Sequence, residues 1–217
     1  MAMTGTNLAD MRREYTRVAL DREHIKDNPF DQFTIWFDQA CQAQLHEPNA
    51  LSLATASADG RASIRTVLLK QFDERGFVFF TNYESKKARQ IAENPNVALL
   101  FPWLALERQA IITGSAERIS KAETLKYFMT RPLESRWSAC ASPQSRVIES
   151  RKVLQMQIEE MKHKFSDGQI PLPSFWGGFR VVPREFEFWQ GGASRLHDRF
   201  LYTRQADDSW KIDRLAP

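Results

Sequence analysis

Apolar residues recur along this chain with two different periods, and the change falls near residue 50. Before it, Phe33, Trp36, Phe37, Ala40 and Cys41 repeat at spacings of three and four, one face of a helix. Asp27-Asn28-Pro29 precedes them, and proline suits a first helical turn, so a helix is expected to start there. After residue 50 the runs are short and β-branched or aromatic: 50–55, 64–70, 77–81, 97–101 and 110–117. Asp59-Gly60 and Asp73-Glu74-Arg75-Gly76 punctuate them, and Asp-Gly between two strands predicts a hairpin. Residues 84–93 are too polar for a strand and read as a short helix stopped by Asn94-Pro95. A helix over 121–130 turns Leu125 and Phe128 inward and ends at Arg131-Pro132. A longer one over 144–165 lines up Val147, Leu154, Ile158, Met161 and Phe165 and ends at Asp167-Gly168. A Pro/Gly/aromatic segment fills 171–180, and strands return at 186–190, 199–203 and 209–214, the last two joined by a polar turn at 205–208.

The strands lack the regular intervening helices of a βαβ protein. The expected class is therefore α+β, mainly β, with an antiparallel sheet closed into a barrel. Residues 7–20 are charged and only weakly helical, so residues 1–20 are expected to form a flexible N-terminal arm. Residues 21–217 are expected to form a single domain.

Composition narrows the function. With 42% hydrophobic residues in 217, the chain can bury a core, which excludes wholesale disorder. No two of its nine glycines make a G-x-G-x-x-G fingerprint or a Walker A loop. Any phosphate would fall to side-chain cations, of which there are 30 Lys and Arg. The net charge of +3 is interspersed, without the basic stripe of a nucleic-acid binder. Cys41 and Cys140 form no zinc spacing, and the histidines at 24, 46, 163 and 197 are scattered, so no metal site is expected. The longest apolar run, 97–106, is broken by Pro102 and is too short to span a bilayer. The first ten residues contain no apolar signal core, and a cytoplasmic protein without membrane contact is expected.

Four constellations could carry chemistry. Arg195, His197 and Arg199 alternate after Gly191-Gly192, so on a strand they would share a face, with Leu196 and Asp198 on the other. Three such groups together invite an anion, but spacing alone leaves a solvated outer face equally open. Arg65 and Lys70 bracket Thr66-Val67-Leu68-Leu69 and would face opposite sides of a strand. Thr81 precedes Lys86-Lys87 at a helix start, where free N–H groups and cations suit a phosphate; a wet lysine pair is the blander alternative. Tyr127 and Arg131 share a helix face near Ser135, either a small phosphate pocket or an ordinary helix end. Gln109 and Gln144-Ser145 could address an amide-rich heterocycle or lie on the surface.

Together these segments resemble the pyridoxine (pyridoxamine) 5′-phosphate oxidase family of FMN enzymes. The likeness runs from Arg12-Arg13-Glu14-Tyr15 to Arg214-Leu215-Ala216-Pro217. It is most specific at Glu187-Phe188-Trp189-Gln190, Arg195-Leu196-His197-Asp198-Arg199 and Pro171-Leu172-Pro173-Ser174-Phe175-Trp176-Gly177-Gly178. Arg65-Thr66-Val67-Leu68-Leu69-Lys70, Phe101-Pro102-Trp103 and Leu106-Glu107-Arg108-Gln109 add to it. The resemblance implies an FMN-binding split β-barrel, antiparallel with peripheral helices, assembled as a homodimer with two FMN sites at the subunit interface. It implies oxidation of pyridoxine or pyridoxamine 5′-phosphate by dioxygen to pyridoxal 5′-phosphate.

Carried over residue by residue, Arg65, Lys86 and Lys87 would meet the FMN phosphate, with Thr81 and Phe80 nearby. Thr66, Val67, Leu68, Leu69, Lys70, Gln109, Gln144, Ser145, Trp189 and Arg199 would line the rest of the cofactor. Lys70, Tyr127, Arg131 and Ser135 would hold the substrate phosphate, and Arg12 and Tyr15 would close over the ring. Arg195 and His197 would be catalytic, with Leu196 beside the substrate. The chain departs from the family where Phe80 stands for a common Tyr and Lys86 for a frequent Arg. It also differs through Arg136-Trp137-Ser138-Ala139-Cys140 and at Pro143. A flavin reductase on the same barrel would not need Lys70, Tyr127, Arg131 and Ser135 together. An RNA-binding barrel would need clustered surface charge.

Overall fold

The computed structural model describes residue 15, residues 19–166 and residues 168–217. Most of the arm expected over 1–20, Arg12 included, lies outside the described residues. The described residues group into two compact units. One holds those up to Pro48 with Phe101–Ile111 and Glu185–Pro217; the other holds Asn49–Leu100 and Ile112–Arg184.

The strands are β1 (Ala50–Ala56), β2 (Ala62–Leu68), β3 (Gln71–Asp73), β4 (Gly76–Asn82), β5 (Asn96–Trp103), β6 (Arg108–Arg118), β7 (Trp176–Gln190), β8 (Asp198–Arg204) and β9 (Trp210–Leu215). They form one sheet in the order β2-β1-β5-β6-β7-β4-β3, with β8 on β7 and β9 on β8. The pairs β1–β2, β1–β5, β3–β4, β4–β7, β7–β8 and β8–β9 are all antiparallel. In sequence, helix α1 (Pro29–Gln42) precedes the strands, α2 (Lys86–Glu93) lies between β4 and β5, and α3 (Lys121–Thr130), α4 (Leu133–Ala141) and α5 (Arg151–Lys164) lie between β6 and β7. This is the split antiparallel β-barrel with peripheral helices that the strand pattern and the resemblance implied.

In the first unit, Asn28 caps α1 by accepting a hydrogen bond from the Phe30 N–H, and Pro29 fills the first turn. Phe33, Trp36 and Ala40 are buried, but Cys41, expected on the same face, is exposed. It falls in the last turn, where the apolar stripe has already rotated away. Buried Phe186 and Phe188 alternate on β7 and present their rings to α1: Phe30 meets Phe186 at 5.1 Å and Trp36 meets Phe188 at 5.2 Å. Their partners on β7, Glu187 and Trp189, therefore point to the other face.

In the second unit the β1–β2 hairpin turns at Gly60, whose φ of +80° suits glycine. Ser85 caps α2, and Ser120 with Glu123 closes a full capping box at the start of α3. Phe128, Ala139, Ile170 and Trp176 form a core cluster against which Phe80, Tyr127, Trp137 and Phe165 pack.

Several expectations need correction here. Leu125 is exposed, because α3 is a short helix that buries only Thr124 and Phe128. The helix expected from residue 144 begins at Arg151, and Val147 is fully exposed in the preceding loop. Helix α4 was not anticipated, since Arg131-Pro132 reads as a stop. Pro132 instead stands at the helix's N-cap, where a missing N–H costs nothing. Strand β7 starts at Trp176, inside the segment expected to be irregular, and β3 is additional. Among the described residues, no helix is long and apolar enough to cross a membrane.

Candidate active site

Arg65 stands on β2 opposite Leu53 of β1, and its guanidinium turns back over that strand. Its Nη1 donates to the Leu53 carbonyl at 3.1 Å and to Thr55 Oγ1 at 2.6 Å. Thr81 is the penultimate residue of β4, and α2 begins five residues later at Lys86, which brings Lys87 beside it. Lys87 Nζ donates to Thr81 Oγ1 and to Gln144 Oε1, both at 3.0 Å. Thr81 Oγ1 in turn donates to Gln144 Oε1 at 2.9 Å. No carboxylate pairs with either cation among the described residues. Burial, reinforced by the nearby Arg65 charge, pushes the Lys87 pKa down to about 8. Burial also lowers that of Arg65. Two partly desolvated cations without a counter-charge form a site that gains energy when a dianion enters.

Of the remaining residues expected here, Lys86 and Lys70 are exposed, and their side chains make no hydrogen bond or ion pair among the described residues. Thr66 is exposed, Val67 and Leu68 are half-buried, and Leu69 is buried. Ser145 adopts a φ of +70° beside Gln144.

A second group surrounds Tyr127. Its ring stacks on Phe80 at 3.9 Å and lies parallel to Trp176 at 6.3 Å. Arg131 holds its guanidinium 4.6 Å from the centre of the Trp176 ring and donates through Nη2 to the Ser135 carbonyl at 3.1 Å. Burial lowers the Arg131 pKa and raises that of Tyr127. Tyr127, Arg131 and Ser135 are thus brought together as expected; Lys70 makes no hydrogen bond to them. Phe80 takes an unforeseen part, as a platform for Tyr127. A cavity of about 290 Å³ in this unit is lined by Tyr83, Arg118, Lys121 and Trp176 and holds none of the expected site residues.

The first unit holds a third group. Trp189 and His197 lie 4.7 Å apart, and Tyr15 meets both edge-on at 5.7 and 5.5 Å. The Gly192 N–H donates to His197 Nδ1 at 3.1 Å. A donor there requires the lone pair on Nδ1, which places the ring hydrogen of the neutral imidazole on Nε2.

The shared strand face expected for Arg195, His197 and Arg199 is not formed. Strand β8 starts only at Asp198, and Arg195 ends a 3-10 turn, Ala193–Arg195, in which Ser194 and Arg195 have φ of 52° and 63°. Gly192 makes that turn possible: a Cβ on it would lie 2.1 Å from the Leu196 carbonyl oxygen. Arg195 and Leu196 are consequently exposed. Nor is Arg199 a bare cation. It stands opposite Trp189 and donates through Nε to Glu187 Oε1 at 2.8 Å and through Nη1 to the Ala216 carbonyl at 2.8 Å. That carboxylate raises its pKa. Gln109 is half-buried on β6.

Sequence reasoning missed Thr55, Gln90, Trp176 and Glu187. The first two are polar residues buried within otherwise ordinary elements. Nothing in spacing marks them, because their role depends on Arg65 arriving from another strand. Among the described residues, no group of three or more His, Cys, Asp or Glu is placed to hold a metal ion. The Arg65–Lys87–Thr81 cradle does fit a phosphate monoester such as the one FMN carries: it offers cations and a hydroxyl, and no carboxylate among the described residues pairs with them.

Known proteins agree with this architecture. The family model "Pyridoxamine 5'-phosphate oxidase" matches residues 37–165, and "Pyridoxine 5'-phosphate oxidase C-terminal dimerisation region" matches residues 176–217. The pyridoxine/pyridoxamine 5′-phosphate oxidase of Crocosphaera subtropica is 63% identical over 213 residues, covering 97% of this chain and all of that protein. The structure of PhzG from Burkholderia lata 383 in complex with tetrahydrophenazine-1-carboxylic acid superposes with a TM-score of 0.88 at 30% identity, over 94% of this chain and all of that one. A pyridoxamine 5′-phosphate oxidase-related, FMN-binding protein from Nostoc punctiforme shares the fold, with a TM-score of 0.71 at 17% identity over 89% of this chain and all of that one. With both family models matched and relatives of this identity aligned along nearly its whole length, the chain belongs to the pyridoxamine 5′-phosphate oxidase family.

Proposed function

We propose that this chain oxidises pyridoxine 5′-phosphate or pyridoxamine 5′-phosphate with dioxygen, using FMN, and so serves vitamin B6 metabolism. The products are pyridoxal 5′-phosphate and hydrogen peroxide, with water consumed and ammonia released when the substrate is the amine. Curated relatives bearing that activity in their names align along their whole length with this chain. The observation that carries the reading is the presence of two separate cationic clusters, Arg65–Lys87 and Tyr127–Arg131, neither with a paired carboxylate among the described residues. A cofactor phosphate and a substrate phosphate account for both.

FMN, when bound, supplies the acceptor for the two electrons removed from the substrate C4′. The protein's part is placement and charge. Arg65, Lys86, Lys87 and Thr81 would hold the cofactor phosphate, with Gln144 and Ser145 beside it, and residues 66–70, Phe80, Gln109, Trp189 and Arg199 would line the rest. Lys70, Tyr127, Arg131 and Ser135 would hold the substrate phosphate. Arg195, exposed and without an ion pair among the described residues, would turn toward the substrate ring and favour proton loss at C4′. His197 would support it with the Nε2 hydrogen that its Gly192 contact leaves outward. Tyr15, already against His197 and Trp189, would cover the ring together with Arg12. A homodimer is the proposed assembly, supported by the dimerisation-region model matching residues 176–217. The free thiols Cys41 and Cys140 suit the reducing cytoplasm.

The test is anaerobic. FMN-loaded protein mixed with pyridoxine 5′-phosphate should lose its yellow flavin absorbance, while unphosphorylated pyridoxine at the same concentration should bleach it far more slowly. Bleaching by a nicotinamide cofactor and not by pyridoxine 5′-phosphate would point to a flavin reductase instead.

A further inference from the structure

Arg65 owes its orientation to two buried side chains, Thr55 and Gln90. A guanidinium carries five N–H donors. Arg65 spends three: Nη1 on the Leu53 carbonyl and Thr55 Oγ1, and Nη2 on Gln90 Oε1 at 3.4 Å. The two left over, Nε–H and one Nη2–H, lie on the same edge of the group. They have no acceptor among the described residues. That edge is the planar fork that grips a phosphate with two parallel hydrogen bonds.

The two supporting side chains are locked in turn. Thr55 Oγ1 donates to Gln90 Oε1 at 2.7 Å, so its lone pairs face the guanidinium. Gln90 Nε2 donates to Ser63 Oγ at 3.2 Å, which fixes the amide with its oxygen toward Arg65. A flipped amide would set NH₂ against both the guanidinium and the threonine hydroxyl. Thr55 and Gln90 are 2% and 6% exposed, so water cannot substitute for them cheaply. Gln90 also sits three residues after Lys87 on α2, on the same side of the helix. One helix thereby carries Lys87 and sets the angle of Arg65.

We infer that Thr55 and Gln90 are positioning residues for the cofactor phosphate, acting through Arg65 by consuming its inner donors and leaving the outer fork aligned. The inference rests on the reading that Arg65 meets the FMN phosphate. It is tested with full-length apoprotein titrated separately with FMN and with riboflavin, which lacks the phosphate, by quenching of flavin fluorescence. Thr55→Val, isosteric and still suited to a strand, should raise the FMN Kd by roughly tenfold, the size of one charge-assisted hydrogen bond, and leave the riboflavin Kd unchanged. Gln90→Met should do the same, and Thr55→Ser should restore FMN binding. In an Arg65→Lys background, Thr55→Val should add less than about twofold, because the group it positions is gone. An unchanged FMN Kd in a folded Thr55→Val variant overturns the inference. So does a parallel loss of FMN and riboflavin binding, or an undiminished effect in the Arg65→Lys background; each marks a merely structural role. If the wild-type protein itself binds FMN no better than riboflavin, the functional reading fails first and this inference falls with it.

Discussion

Arg199 is tied diagonally across β7 and β8 to Glu187, Nε to Oε1 at 2.8 Å, while standing directly opposite Trp189. The pair is half-sheltered, with side chains 30% and 18% exposed, so its hydrogen bonds are less screened than a surface pair. Glu187→Gln should cost about 1 kcal/mol of stability, since it keeps an acceptor and loses the charge. Glu187→Ala should cost more, because Arg199 then keeps its charge without a partner. Urea denaturation of the apoprotein checks both; equal midpoints for all three proteins would mean that the pair contributes nothing.

Lys87 predicts two opposite pH trends. Its folded pKa is depressed to about 8 by burial and by Arg65, and among the described residues its ammonium donates to Thr81 and Gln144 only. Between about pH 8 and the ordinary lysine value near 10.4 the unfolded chain holds more protons, so apoprotein stability should gain from Lys87 as pH rises through that window. FMN phosphate binding needs the charged form, so FMN affinity should fall over the same window. Lys87→Met should flatten both trends. Affinity independent of pH from 7 to 9.5 in the wild type would contradict the assignment.

Trp176 supports both Tyr127, in a parallel stack, and Arg131, under its guanidinium. Cation–π contact of this kind contributes about 0.5–2 kcal/mol. Trp176→Leu should therefore raise the KM for pyridoxine 5′-phosphate several-fold while leaving the FMN Kd within about twofold. Steady-state kinetics with a parallel FMN titration separate the two. A loss of FMN binding with KM unchanged would place Trp176 with the cofactor instead.

Arg180 is buried on β7 and bridges Asp73 at 2.7 Å and Glu123 at 3.3 Å. Burial raises the Asp73 pKa, but hydrogen bonds from Arg75 and the Arg180 charge outweigh it and leave it lowered. Ser120, with help from Arg180 and Arg75, lowers that of Glu123. Arg180→Ala should cost about 3 kcal/mol, and Arg180→Met less, because a buried pair is more damaging to break than to replace. Depressed carboxylate pKa values contribute stability above the unfolded value near 4, and that contribution is lost as pH falls through the folded values. Acid denaturation of Arg180→Met should therefore be shallower than that of the wild type, as read by circular dichroism.

What could be read from sequence follows from what is local. Asn28-Pro29 and the Phe33-Trp36-Ala40 stripe place α1, because capping and helical period act within a few residues. The Ser120–Glu123 box that starts α3 is equally local, although the sequence reading placed that helix without it. Arg195 and His197 were misplaced because alternation presumes an extended strand, and the positive φ values at Ser194 and Arg195 break it. Arg199 was grouped with Arg195 and His197, because its contact with Glu187 depends on β7–β8 registry. Thr55 and Gln90 stayed silent because a buried hydroxyl and amide mean nothing until the strand and helix that carry them converge on Arg65. Val147 shows the reverse error: an apolar residue at helical spacing stands fully exposed, because the helix begins only at Arg151.

The central claim is a reaction, and aerobic turnover tests it most directly. Purified protein with FMN and pyridoxine 5′-phosphate in air should form the aldehyde and hydrogen peroxide in equal amounts, and omitting FMN from the apoprotein should abolish both. An FMN-loaded, folded protein that forms neither product from pyridoxine or pyridoxamine 5′-phosphate would contradict the account.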